Sequence, residues 1–191
     1  MSDRMSDRMS DSLLSRMFSR VFSSPAAVLL LVASASLAAI AAALVSQHVF
    51  DMQPCPWCVL QRAVFAAIAL VALVGAGLPQ RLAKAGALLL TALLAAAGIA
   101  AALWQHLVAK SSSSCNLTLA DRIVSGLQLD ALAPEVFAPR ASCADAAVNL
   151  LGLPYEFWSL GLFTVLGAAA AWALVRLWSP AGSGAPHQGK P

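Results

Sequence analysis

Four stretches of this chain are nearly devoid of charge and long enough to cross a bilayer. A helix rises 1.5 Å per residue, so about 20 apolar residues cover roughly 30 Å of hydrocarbon. The first stretch, residues 25–49, opens at Pro25 and holds Ser34, Ser36, Ser46, Gln47 and His48 as its only polar members. Its basic flank and Ala-Ser-Ala segment suggest a cleaved signal peptide, but signal h-regions run to about 7–15 residues, and a retained span is predicted. The second, about 57–78, ends at Gly75, Gly77 and Pro79, and a short basic turn with Arg81 and Lys84 follows. The third, about 85–108, carries Trp104, Gln105 and His106 at its far end, and the fourth covers about 155–178. The pattern predicts an all-α membrane protein, a four-transmembrane-helix bundle (residues 25–178) with a long periplasmic loop over 109–153.

The remaining segments are polar. Residues 1–24 contain Met-Ser-Asp-Arg twice, then Met9-Ser10-Asp11, and read as a disordered tail or as an extension upstream of a start at Met5 or Met9. Residues 179–191 form a Gly/Pro/Ser-rich tail with His187 and Lys190. Within the loop, Thr118 and Asp121 have capping spacing, and Ile123, Val124, Leu127 and Leu129 give a partly apolar face. Two readings stand there: a short helix lying on the membrane surface, or a turn packed on the helix ends.

Composition agrees with the pattern. The 191 residues are 60% hydrophobic and 11% charged, with a mean hydropathy of +0.77, whereas soluble domains are about a quarter charged. A soluble fold of this size has too little interior for so much apolar side chain. The net charge of +3 is too small and scattered for nucleic-acid binding. Its distribution is more informative. An even number of spans puts both termini on one side, with Arg4, Arg8, Arg16, Arg20, Arg81, Lys84, Arg176 and Lys190; the other side has Lys110, Arg122 and Arg140. The positive-inside rule therefore predicts cytoplasmic termini, as expected in a bacterial inner membrane. Trp57, Trp104, Tyr155 and Trp158 then fall at the outer interface, as an aromatic belt does.

That orientation puts all four cysteines, Cys55, Cys58, Cys115 and Cys143, on the oxidising, periplasmic face, where disulfides persist. Cys55-Pro56-Trp57-Cys58 is a Cys-x-x-Cys pair, a spacing that is typically redox-active. A structural bridge closing so short a loop would stabilise little. Zinc would call for a second close pair, and a c-type haem for His at residue 59, which is Val; no metal site is expected. Pro54 and Pro56 are expected to hold this stretch out of a helix, at the mouth of the second span. Cys115 and Cys143 are far apart in a loop able to bring them together, and both a structural and a redox role stand for them.

Arg62 follows Cys58 by four residues, on the same helical face and about one turn into the membrane. An arginine there is costly and by default functional, able to favour a Cys58 thiolate or to bind a carbonyl of a redox partner; snorkelling is the plainer reading. His106 is expected at the same depth and face, either to bond a quinone oxygen or relay protons, or as an interfacial polar residue. His48 reads as interfacial.

Residues 25–178 resemble the bacterial disulfide bond formation protein B (DsbB) family. The resemblance rests on Gln47-His48, on Pro54-Cys55-x-x-Cys58-x-x-x-Arg62, on Gln105-His106, and on Cys115, Cys143 and Leu151-Gly152-Leu153-Pro154. Gln61 stands where an acidic residue is sometimes found. The resemblance implies a four-helix inner-membrane bundle that reoxidises a periplasmic DsbA-like thioredoxin-fold protein. By the same resemblance, Cys115 takes the partner's attack and pairs at rest with Cys143, and Cys55 exchanges with that pair. Cys58 passes electrons to ubiquinone or menaquinone and so to the respiratory chain, with Arg62 and His106 flanking the quinone head group. Other classes compete: a reductant exporter, whose cysteines would be expected within spans, and a non-enzymatic subunit whose cysteines brace the loop.

Overall fold

The computed structural model describes residues 24–108 and 119–179. Four helices long and apolar enough to cross a membrane build it: α1 (Pro25–Val49), α2 (Pro56–Gly77), α3 (Arg81–Leu107) and, at the end, α7 (Tyr155–Trp178). Between α3 and α7 lie three short helices, α4 (Leu119–Gly126), α5 (Leu129–Leu132) and α6 (Pro134–Phe137), and a two-stranded antiparallel hairpin, β1 (Asn149–Leu150) and β2 (Leu153–Pro154). The tail readings for residues 1–23 and 180–191 lie outside the described residues, as do Thr118 and Cys115.

Prolines and helix ends set the boundaries. Pro25 and Pro56 each occupy the first turn of a helix, where a missing N–H costs nothing and the fixed φ is already helical. Pro56 therefore begins α2 instead of excluding it, and Cys58 lies inside the first turn. Helix α3 starts at Arg81, a turn ahead of residue 85, because nothing beyond Pro79 breaks it. Arg81 and Lys84 thus belong to the helix, and the Arg81 guanidinium lies 5.9 Å from the ring of Trp178. Arg176 covers Trp172 in the same way at 5.0 Å. Cation–aromatic pairs thus mark one end of the bundle, and Cys55, Cys58 and Cys143 stand at the other.

The helices pack through small residues. A lipid solvent gives apolar helices no hydrophobic reason to associate, so close van der Waals approach decides the interfaces. Helices α3 and α7 share the broadest contact, followed by α1 with α2 and α2 with α3; α1 meets α7 over much less. At the centre, Phe65 of α2 stacks on Phe163 of α7 with centroids 4.0 Å apart. Gly98 of α3 lies directly against that ring, since a Cβ built on it would stand 2.6 Å from the Phe163 carbons. Leu29, Ile68, Leu88 and Leu166 complete this core, while Leu70, Leu89, Leu93 and Val175 face outward, as lipid-facing positions do.

The loop is tied down at the cysteine end. Ala120 and Val124 of α4 are buried against the start of α2, so α4 packs on the helix ends while Leu119 stays exposed. The hairpin turns on Leu151 and Gly152, both with positive φ (54° and 82°), the geometry of a type I′ connection. It delivers the chain directly into α7.

Gly98→Val is expected to drive Phe163 off Phe65 and cost about 1–3 kcal/mol, the usual penalty of overpacking. Gly86→Ala, where nothing lies within 4 Å of the added Cβ, is expected to be neutral or stabilising. Thermal unfolding in detergent, followed by tryptophan fluorescence, compares the two; equal midpoints would contradict the packing described.

Candidate functional site

The Cys-x-x-Cys geometry follows from helix capping. Cys55 is the N-cap of α2, with extended backbone, and its sulfur accepts the N–H of Cys58 at 3.3 Å. An N-cap side chain normally reaches the backbone N–H two or three residues on, and here a thiol fills the place of a serine. That contact folds the pair back on itself and brings the two sulfurs to 2.7 Å.

The loop then meets Cys55. The carbonyl of Pro54 accepts the N–H groups of Arg140 (2.9 Å) and Ala141 (3.2 Å), which locks the chain just before Cys143 against the chain just before Cys55. Cys143 and Cys55 are both buried, in a small apolar cluster with Trp57, Ala101, Ala120 and Ala146, and the two thiols are hydrogen-bonded. The bond to Cys143, the bond to Cys58 and burial together push the Cys55 thiol well above the usual cysteine range.

Cys58 faces the other way. It lines a cavity of about 1170 Å³ bounded by Ala39, Ala42, Ala43 and Ser46 of α1 and by Gly161, Leu162 and Val165 of α7; Cys55 and Cys143 do not line it. It lies where α1 and α7 pack sparsely, and loop residues such as Pro54, Ala141, Ala146 and Leu153 complete its wall. Most of the wall is apolar; Gln61, Arg62 and Gln105 are polar members beside Cys58, and Glu156 is another polar member of the wall.

Those polar groups are organised by one another. Gln61 Nε2 donates to Gln105 Oε1 (2.7 Å), which turns the Gln105 amide so that its Nε2 donates to Cys58 Sγ (3.3 Å). Arg62, 6% exposed, donates through one nitrogen to Gln47 Oε1 (2.7 Å) and the Val136 carbonyl (3.1 Å), and through the other to the Ala43 carbonyl (3.3 Å). Gln47 in turn donates to the Glu135 carbonyl. Arg62 is thus clamped between α1 and α6 and does not snorkel.

His106 stands in the last turn of α3. Its ring is not on the cavity wall; Nδ1 lies 2.8 Å from Oε1 of Glu156, and Glu156 lines the cavity in its stead. His48 is exposed, 3.9 Å from Glu135. The roles of Gln47, Gln61, Gln105 and Glu156 were not read from the sequence. Their one available signal was polarity at the ends of apolar spans, where such groups must find partners.

The fold and site define a class: a polytopic membrane protein presenting a Cys-x-x-Cys pair and a loop cysteine at one end of a four-helix bundle. The profile of the family described as "Disulfide bond formation protein DsbB" matches residues 25–173, and the chain belongs to that family. Among curated relatives, "Disulfide bond formation protein B 1" of Pseudomonas syringae pv. syringae (strain B728a) is 35% identical over 151 residues, 78% of this chain and 88% of that protein. "Disulfide bond formation protein B" of Herminiimonas arsenicoxydans is 37% identical over 140 residues, covering 73% and 88%. The protein of that name from Burkholderia pseudomallei (strain K96243) is 32% identical over 151 residues, covering 78% and 89%.

In reduced protein at neutral pH, Cys55 is expected to resist iodoacetamide and to react faster as pH is raised past the ordinary thiol range. Cys143→Ala removes the leading hydrogen bond and is expected to speed that labelling several-fold. Peptide mass mapping follows each thiol; identical Cys55 rates with and without Cys143 would contradict the contact.

Proposed function

We propose that this protein is a quinone-dependent protein-disulfide oxidoreductase of the bacterial inner membrane. It reoxidises a periplasmic DsbA-like thioredoxin-fold dithiol oxidase and passes the electrons to the membrane quinone pool. Both termini lie in the cytoplasm and the cysteines in the periplasm, as the basic residues favour. The observation that carries the reading is the division of one redox pair between two surroundings: Cys55 against the loop cysteine, Cys58 on the wall of a large apolar cavity.

Each cysteine then has a role. Cys115 receives the partner's thiolate and forms the mixed disulfide; Cys143 is its resting partner. The packing of Cys143 on Cys55 supports exchange between loop pair and helix pair, because thiol–disulfide exchange needs the attacking sulfur in contact with the bond it opens. The resulting Cys55–Cys58 dithiol delivers electrons from Cys58. A quinone bound beside Cys58 supplies a two-electron acceptor, and about 30 mV of potential difference offsets about 1.4 kcal/mol of uphill thiol chemistry.

The residues present fit such a ligand. The cavity has room for a head group and the start of an isoprenoid tail, its wall is mainly apolar, and α1 and α7 line it together. Arg62 supplies fixed N–H donors and a permanent positive charge beside it, and Gln105 holds the Cys58 sulfur in place. His106 acts at the head group through Glu156.

The test is purified protein in nanodiscs with reduced thioredoxin-fold partner, ubiquinone in one arm and menaquinone in another, following quinone absorbance. Turnover is expected with at least one quinone, to vanish in Cys58→Ser, and to fall on the order of 10-fold or more in Arg62→Leu, which removes a charge-assisted donor. No turnover by the parent protein overturns the reading, and unimpaired Cys58→Ser overturns the assigned exit. In Cys143→Ser, quinone reduction by dithiothreitol is expected to survive while turnover with the protein partner is lost.

A further inference from the structure

The relay described above is a path for electrons, and it leaves one buried acid unexplained. Glu156 stands in the first turn of α7, 4% exposed, with a wall position on the cavity that also holds Cys58 and Arg62. Glutamate is among the residues most rarely buried, and more costly still in a membrane domain. Its Oε1 meets Nδ1 of His106 in the last turn of α3, and the His106 side chain is 31% exposed. The couple therefore has one end in the cavity and the other at the surface. A brace between α3 and α7 would need only an amide pair, with less charge to desolvate. What this pair adds is the capacity to hold and release protons.

We infer that His106 and Glu156 form a proton entry to the cavity, with Glu156 the catalytic acid at the oxygen being reduced; this rests on the quinone reading above. When the Cys55/Cys58 dithiol becomes a disulfide, two S–H bonds break, one S–S bond forms, and two electrons and two protons are released. A quinone accepting both electrons becomes a quinol by forming two O–H bonds. Glu156 supplies the proton for one of them and is reprotonated from Nδ1 of His106, which draws on surface water. The thiol protons supply the other O–H bond and return the borrowed proton to water, so the sum balances.

The other charged or titratable groups on the wall do not fill this place. Arg62 is a permanent cation held by Gln47 and two carbonyls. Arg140 is paired with Glu135. Asp51 and Asp145 are exposed loop residues bonded to Gln53 and Ser142. Tyr155 precedes Glu156 on α7, and Cys58 is the electron donor itself.

The chain holds two glutamates, and the other, Glu135, is 66% exposed in its pair with Arg140, so carboxyl-labelled [13C]glutamate in the full-length Glu135→Gln protein isolates Glu156. Redox-induced infrared difference spectra in nanodiscs with ubiquinone are expected to contain a labelled carboxyl band that changes on quinone reduction. Glu156→Gln, which keeps a hydrogen bond to His106, is expected to lose that band. It is also expected to lower quinone reduction on the order of 100-fold, the scale of general acid catalysis, while thiol exchange with the protein partner proceeds at the parent rate. Parent turnover with a silent labelled carboxyl, or with undiminished Glu156→Gln, overturns this assignment alone. Absence of quinone reduction by the parent protein removes the quinone reading and this proposal with it. Should Glu156→Gln fail to fold, the labelled Glu135→Gln protein decides by itself.

Discussion

A bilayer offers a buried charge no water, and the guanidinium of Arg62 organises the cysteine end of this bundle for that reason. It donates to a side-chain amide and a carbonyl of α1 and to a carbonyl of α6 in the loop. Gln47, which answers it, is itself answered by the carbonyl of Glu135. One positive charge thus joins two spans to the loop segment that runs on to Cys143. Truncating it would leave Gln47 and two carbonyls short of a donor, and unpaired buried polar groups are among the larger penalties a protein meets. The loop is therefore held by the same group that stands beside the redox sulfur.

The seam between α1 and α7 follows from a second constraint. Helices in lipid associate where small residues permit close approach, and α3 with α7 takes most of that contact. Gly98 admits Phe163, Phe163 stacks on Phe65, and the bundle closes below that level. Above it, Ala39, Ala42 and Ala43 give α1 a low wall that does not fill the space towards α7. The cavity is what remains when a tightly packed half of a bundle is joined to a loosely packed one.

Much of this was legible in the sequence because the bilayer constrains it so tightly. Four runs of about 20 apolar residues admit few architectures, and the Cys55-x-x-Cys58 spacing announces its chemistry. Boundaries were legible to within a turn: Pro56 reads as a breaker from composition but acts as a helix start, and Arg81 looks like a turn residue until Trp178 is seen to receive it. What could not be read were contacts between elements distant in sequence. Gln105 meets Gln61 across 44 positions and His106 meets Glu156 across 50. A glutamine or glutamate near the end of a span carries no periodic signal of its own; its meaning comes from the helix opposite. His106 illustrates this, since its partner Glu156 lies on a helix that begins at Tyr155, 49 positions further along the chain.

The capping geometry of α2 explains how a pair three residues apart serves two surroundings at once. A Cys-x-x-Cys placed wholly in a loop would expose both sulfurs to the same solvent, and one placed mid-span would bury both in lipid. Cys55 as N-cap and Cys58 in the first turn straddle the boundary: the first sulfur lies where the loop arrives, the second where the cavity begins. Pro56 makes that arrangement rigid, since its fixed φ and missing N–H suit the first helical position and little else. In the proposed relay, electrons cross from loop chemistry to lipid chemistry between those two sulfurs.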